Sequence, residues 1–115
     1  MDIRITVAGD ELRGSLDDTA TARDFAALLP LTLTLVDFAG TERIADLPRR
    51  LDTTGAPPAH TGRPRDITYY APWGNLALFY GNGPDAPGII RLGRLQPGAA
   101  AELSNLNATV TITLD

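Results

Sequence analysis

Apolar and polar residues alternate along much of the chain, a pattern typical of strands with one buried face. In LTLTLVDF (31–38), leucines occupy every second position and threonines fill the gaps. The C-terminal ATVTITLD (108–115) has the same pattern, and Thr suits it because β-branched side chains fit a pleated surface. We therefore predict strands over both segments. The same reasoning predicts further short strands at 3–7, 12–16, 42–47, 66–70, 76–80 and 89–95.

Two segments have helical spacing instead. In DDTATARDFAALLP (17–30), Ala22, Phe25 and Ala26 fall on one helical face, which predicts a helix of about ten residues ending at Pro30. QPGAAAELSNL (96–106) predicts a second short helix, with its proline near the start.

About eight short strands with only two helices favour a closed β-barrel, because closure removes exposed sheet edges. Each helix has one apolar face to bury, so we expect the helices to cap the open ends of the barrel. The length fits a single domain over 1–115. Segment 48–65 is rich in Pro and Gly and is predicted to be a long loop, of the kind that often binds a ligand or moves as a flap.

The stretch DITYYAPWGNLALFY (66–80) holds five of the seven aromatic residues. It predicts a β-hairpin whose alternation places Tyr69 and Tyr70 on opposite faces. Most of the rings are therefore assigned to core and barrel wall. Trp73 in the turn and one outward Tyr remain candidates for ligand contact, whereas Asn75 is assigned to turn geometry because Asn tolerates the left-handed conformation.

Composition excludes several classes of function. The net charge is −4 and the pI is about 4.8, so the chain has no general attraction to nucleic acid or acidic lipid. All ten basic residues are Arg, which excludes a Lys Schiff base, and the absence of Cys excludes disulfides and thiolate chemistry. The N-terminus lacks the apolar core of a signal peptide and no run is long enough to span a membrane, so we expect a cytoplasmic protein.

Few polar residues stand out as candidates for chemistry. Arg43 is the best of them, as a ligand-binding group or, alternatively, as an exposed strand-edge Arg paired with Glu42 or another acid. Arg49 and Arg50 form a basic pair that either binds an anion or is simply solvated. His60 is the only His and has no ligand set around it, so we predict a surface-loop His, no metal site and no cofactor.

Two longer stretches resemble a known family. DITYYAPWGNLALFYGN, followed by GIIRLGRLQPGAAAEL, resembles the second half of the cyclophilin fold. Together with TARDFAALLPLTLTLVDFAGTERIADLP, it is similar to small bacterial cyclophilin-like proteins, and the resemblance runs from Ile3 to Leu114. It implies a closed eight-stranded cyclophilin-like β-barrel with two short capping helices.

The resemblance also bears on activity. Cyclophilins are prolyl isomerases that use an Arg to hydrogen-bond the prolyl amide nitrogen, and GTERIA (40–45) is the nearest counterpart of that region, so Arg43 would match the catalytic Arg. The Phe, Met and Gln that follow in cyclophilins have no counterpart in DLPRRL (46–51). The resemblance therefore implies a barrel that lacks most of the isomerase signature.

Three hypotheses follow. The first is a binding module whose pocket beside the hairpin takes a small molecule or a short proline-containing peptide, with Arg43, Phe38, Tyr70, Trp73 and Phe79 as its residues. The second is a prolyl cis-trans isomerase with altered pocket residues and Arg43 as the catalytic group. The third is an interaction domain that works with a redox or flavodoxin-like partner, as a monomer or a homodimer.

Overall fold

A computed structural model describes all 115 residues and contains eleven strands and two short helices. The strands are β1 (Asp2–Val7), β2 (Asp10–Leu16), β3 (Leu31–Thr34), β4 (Val36–Phe38), β5 (Glu42–Asp46), β6 (Ala59–Thr61), β7 (Asp66–Tyr70), β8 (Asn75–Phe79), β9 (Asp85–Pro87), β10 (Ile89–Leu95) and β11 (Thr109–Leu114). The helices are α1 (Ala20–Ala26) and α2 (Ala99–Leu103). The chain is therefore mainly β, as the alternating pattern predicts.

Nine of the strands form one antiparallel sheet, in the order β3-β11-β1-β2-β10-β7-β8-β5-β4. Its two end strands, β3 and β4, follow each other in the chain and are separated only by Leu35, whose side chain is fully buried. Segment 31–38 therefore pairs with β11 through its first half and with β5 through its second half. Counted as one bent strand, it completes a nearly closed eight-stranded barrel. The barrel prediction is confirmed, and the correction is the break at Leu35.

The two helices pack against the barrel core. The Thr19 side chain accepts a hydrogen bond of 3.1 Å from the backbone N–H of Ala22 and so caps the start of α1. This helix has seven residues, fewer than predicted, because the N–H groups of Leu28 and Leu29 bond to carbonyls three residues back and so form a tighter turn. Phe25 on α1 and Leu103 on α2 are both fully buried in the same apolar cluster as the inward strand residues. Neither helix has the length and apolar character that crossing a membrane requires.

The predicted hairpin is β7 and β8, joined by residues 71–74. Its inward side chains, Tyr69 among them, belong to the main core, whereas Tyr70 and Phe79 belong to a second apolar cluster on the outer face. The predicted alternation is therefore confirmed. The residue with a positive φ is Gly74, at +67°, and Asn75 lies in β8 opposite Tyr70, so the assignment of Asn75 to turn geometry is wrong.

The segment predicted as a long loop contains one short strand. β6 pairs with β9, and these strands form a separate two-stranded sheet, here called the outer ribbon (59–61 and 85–87). The chain beside the outer ribbon rests on the ring of Phe79: a Cβ added to Gly62 or Gly83 would lie 2.4 or 2.5 Å from that ring. Only Gly allows so close an approach, and it brings the ribbon onto the outer face of the barrel.

Candidate functional site

A cavity of about 260 Å³ opens on the outer face of the barrel, beside the 66–80 hairpin. We call it the outer cavity. Sheet residues of β7, β8 and β10 meet side chains from β4, β5 and their connection, from the hairpin turn, and from β9 and the residue before it. Its lining consists of Phe38, Ala39, Thr41, Glu42, Tyr70, Trp73, Asn75, Ala77, Phe79, Pro84, Ala86 and Ile89.

Register explains why these residues meet. Phe38 pairs with Glu42, and Glu42 pairs in turn with Phe79, so the three side chains lie on one face of three neighbouring strands. Tyr70 lies on the same outer face of β7, and Ile89 is its partner on β10. The alternation of strand side chains thus gathers an aromatic surface on the outside of the barrel.

The rings form a connected group. The Trp73 ring makes edge-to-face contacts with Phe38, at 5.3 Å between centroids, and with Tyr70, at 5.2 Å. Such contacts are the favoured geometry for aromatic pairs. Trp73 is 53% exposed and Phe38 is 39% exposed, whereas Phe79 is 1% exposed. The cavity therefore has a buried ring within it and exposed rings at its rim.

Two polar side chains interrupt this apolar lining. Asn75 is only 2% exposed, and its Oδ1 atom is buried without a hydrogen-bond partner. Buried side-chain polar atoms are usually hydrogen-bonded, because an unpaired one costs free energy. Glu42 is half-buried at the same cavity. Burial, and secondarily the neighbouring charge of Asp37, raise the pKa of the Glu42 carboxyl above its usual value.

The Asp37 carboxylate is well supplied with partners. It accepts hydrogen bonds from the Tyr80 hydroxyl and from the Gly40 backbone N–H, and it lies 3.5 Å from the Arg43 guanidinium. The Tyr80 bond is the main cause that lowers the pKa of Asp37, and the same bond raises the pKa of Tyr80. Glu42, in contrast, has no cation beside it to lower its pKa.

Arg43 does not line the outer cavity. Its side chain lies on the opposite face of β5 from Glu42, because successive residues of a strand alternate. It is 7% exposed and donates hydrogen bonds to the carbonyl oxygens of Leu103, at 2.9 Å, and Ser104, at 2.7 Å. These are carbonyls at the end of α2, which its guanidinium caps. The alternative expectation was an exposed Arg paired with Glu42 or another acid. Its exposure is wrong, since Arg43 is buried, but a nearby acid does pair with it, namely Asp37.

The structure therefore brings together four of the five predicted site residues, Phe38, Tyr70, Trp73 and Phe79, and leaves Arg43 apart. Sequence reasoning missed Asn75 and Glu42 as parts of the site. Glu42 lies on the same face of the sheet as Phe38 because the two residues pair across β4 and β5. Recognising this requires the strand register, which the sequence alone does not give. No signal in the sequence distinguishes a strand Asn beside a turn from a turn Asn.

The other polar candidates have structural partners. Arg49 makes two bonds of 2.8 Å to the Asp24 carboxylate, and Arg50 donates to the Ala71 carbonyl at 2.6 Å. Both guanidinium groups therefore have hydrogen-bond partners within the protein and do not form an unpaired basic site for an anion. His60 lies in β6 and is half-buried, with Nε2 at 2.9 Å from an Asp66 carboxylate oxygen, so the expected surface-loop His is instead part of the outer ribbon's attachment.

The composition of the lining singles out the outer cavity. Eight of its twelve residues are hydrophobic, against at most three in each of three other surface cavities. One of those, of about 270 Å³, is lined by Arg13 and Asp115, which already pair with each other at 2.5 Å. Ligand sites are mostly apolar with a few placed polar groups, which describes the outer cavity alone among these four.

A family model described as the cyclophilin-like family matches residues 5–115. The fold is similar to the solution structure of a hypothetical protein from Archaeoglobus fulgidus, with a TM-score of 0.69 and 20% sequence identity, over 100% of this chain and 95% of that one. At this identity the likeness concerns the fold alone. No curated protein matches the chain at a significant level.

Proposed function

Because this chain belongs to the cyclophilin-like family, we propose that it is a binding module whose outer cavity holds a small molecule or a short peptide segment. The observation that carries the proposal is the Asn75 amide, 2% exposed and lining the cavity with its Oδ1 atom unpaired. A ligand that donates a hydrogen bond would remove this deficit, and the surrounding rings would bury its apolar part.

The size of the cavity limits the ligand. Its volume of about 260 Å³ lies just below the range of about 300–1,000 Å³ that is usual for small-molecule sites. We therefore expect a small ligand, or one side chain and its adjoining backbone from a peptide. The exposed rims of Phe38 and Trp73 leave room for the remainder of a longer ligand to extend into solvent.

Trp73 provides a direct reporter for the test. It is the only Trp of the chain and it lines the cavity, so a bound ligand changes its fluorescence. The experiment is a titration of the purified protein with a fragment set of neutral aromatics, amines, carboxylates and proline-containing tetrapeptides. We expect at least one chemical class to give a saturable change in emission.

Two variants locate the binding. Phe38→Ala removes a rim ring that is 39% exposed, so it weakens binding without a large cost in stability. Leu114→Ala is the matched control, since Leu114 is 49% exposed and lies on β11, away from the cavity. Saturable binding that Phe38→Ala leaves unchanged, or the absence of any saturable ligand, would contradict the proposal.

The prolyl isomerase alternative needs an Arg free to donate to a prolyl nitrogen. Arg43 already donates to two carbonyls of the α2 terminus and does not line the outer cavity, which gives this alternative no support. A protease-coupled assay on an Ala-Pro peptide tests it directly.

The partner-domain alternative rests on the exposed rings of Phe38 and Trp73, and light scattering of the purified protein tests it through the oligomeric state.

A further inference from the structure

The outer cavity is acidic as well as aromatic. Glu42 is the only one of its twelve lining residues that carries a charge at neutral pH, and no basic side chain lines it. The Glu42 carboxylate is half-buried, yet the guanidinium of the adjacent Arg43 is on the other face of the strand and pairs with Asp37. Burying a carboxylate without a cation is costly, and the cavity lining supplies no positive partner for Glu42.

The aromatic rings favour the same partner. Tyr70, Trp73 and Phe38 lie together in edge-to-face contact at the cavity, and Phe79 adds a fourth ring. Aromatic faces carry negative potential and attract cations, Trp most strongly. A group of aromatic rings is the usual means of recognising an alkylated ammonium group, and the Glu42 carboxylate adds an opposite charge beside the rings.

Resting on the proposed function, we propose that the ligand of the outer cavity is a small organic cation with an alkylated ammonium head. The carboxylate of Glu42 balances its charge and the rings of Tyr70 and Trp73 pack against its methyl groups. Asn75 then accepts a hydrogen bond through its unpaired Oδ1 from a hydroxyl or amide elsewhere on the ligand.

Other ligand classes fit less well. An anion would meet the Glu42 carboxylate with no basic residue to offset the repulsion. A neutral apolar ligand would fill the cavity but exclude water from Glu42, and so deepen the cost of an unpaired buried charge. The ammonium head satisfies both the charge and the rings.

The test compares choline with its neutral analogue, in which a tert-butyl group replaces the trimethylammonium group. The two have the same shape and the same hydroxyl, so their difference in affinity reports the charge. By Trp73 fluorescence and calorimetry we expect choline to bind about tenfold more tightly, the effect of roughly one ion pair in a partly buried site. This comparison uses the unaltered protein and does not depend on whether a variant folds.

Glu42→Gln then assigns the preference to its source. We expect this variant to bind choline several-fold more weakly and the neutral analogue unchanged, so that the preference shrinks to the part supplied by the rings. Glu102→Gln is the matched control, because Glu102 is an exposed carboxylate on α2 outside the cavity, and it should keep the preference. A peptide with trimethyllysine, measured against the same peptide with lysine, shows whether the head group can also come from a side chain.

The outcomes separate the two proposals. Equal affinity for choline and its neutral analogue overturns the ammonium proposal and leaves the binding module standing. An unchanged affinity of Glu42→Gln for choline does the same. If neither compound binds, the ammonium proposal fails, and the fragment titration decides separately whether the cavity binds any ligand.

Discussion

Replacing Asn75 by Leu should stabilise the protein while it weakens ligand binding. Asn75 is 2% exposed and its Oδ1 has no partner. An unsatisfied buried polar group costs about 1–3 kcal/mol, and a change of shape at similar volume costs less than about 1.5 kcal/mol. We therefore expect the free energy of unfolding to rise by about 1 kcal/mol. For a domain of this length that raises Tm by about 3–6 °C.

The assay is urea unfolding of the ligand-free protein followed by circular dichroism, because Trp73 fluorescence is sensitive to a change two residues away. The matched control is Asn82→Leu, at an exposed position outside the cavity, which should stay within about 0.5 kcal/mol of the wild type. A typical hydrogen bond contributes about 1 kcal/mol. If Asn75→Leu lowered the free energy of unfolding by that amount or more, Asn75 would have a structural partner and the reasoning would be refuted.

Three further predictions concern the scaffold. Arg43→Met leaves the last carbonyls of α2 unpaired and should lower the unfolding free energy by about 3 kcal/mol in urea titrations; a loss below about 0.5 kcal/mol would contradict the capping role. Asp24→Asn tests the hydrogen bonds from Arg49, the main cause that lowers the pKa of Asp24 to about 2. Because this pair is partly solvated, we expect the free energy of unfolding to fall by about 1 kcal/mol at neutral pH. That loss should vanish as the pH falls from about 4 to about 2, since the wild type loses the stabilising charge on protonation. Gly62→Ala forces a methyl group into the Phe79 ring and should cost about 1–3 kcal/mol by calorimetry, whereas an unchanged Tm would mean that the outer ribbon yields freely.

The barrel was predictable because its strands carry their own signal. In β11 every inward residue is apolar and its neighbours are threonines, so the pattern identifies the strand without knowledge of its partners. β6 and β9 have no such pattern: each has three residues, none of them fully buried. They form because Gly62 and Gly83 let the chain settle on Phe79, a contact that only the folded barrel creates.

The site was predictable in its aromatic part only. The hairpin contributes Tyr70, Trp73 and Phe79, and their proximity follows from the chain itself. The family resemblance predicted Arg43 at the site. Because side chains alternate along β5, Arg43 lies on the opposite face and Glu42 lines the cavity instead. Parity depends on register, and register is set by pairing partners far along the chain.

The most direct measurement of the central claim is a two-dimensional amide NMR titration with choline. The chain has one Trp, so its indole N–H gives a single signal that reports the outer cavity without ambiguity. We predict saturable shifts of this indole signal and of the Asn75 side-chain amide, with little change in β1 and β11 on the far part of the sheet. Shifts confined to other surfaces, or no shift at the Trp73 indole on saturation, would contradict the assignment of ligand binding to this cavity.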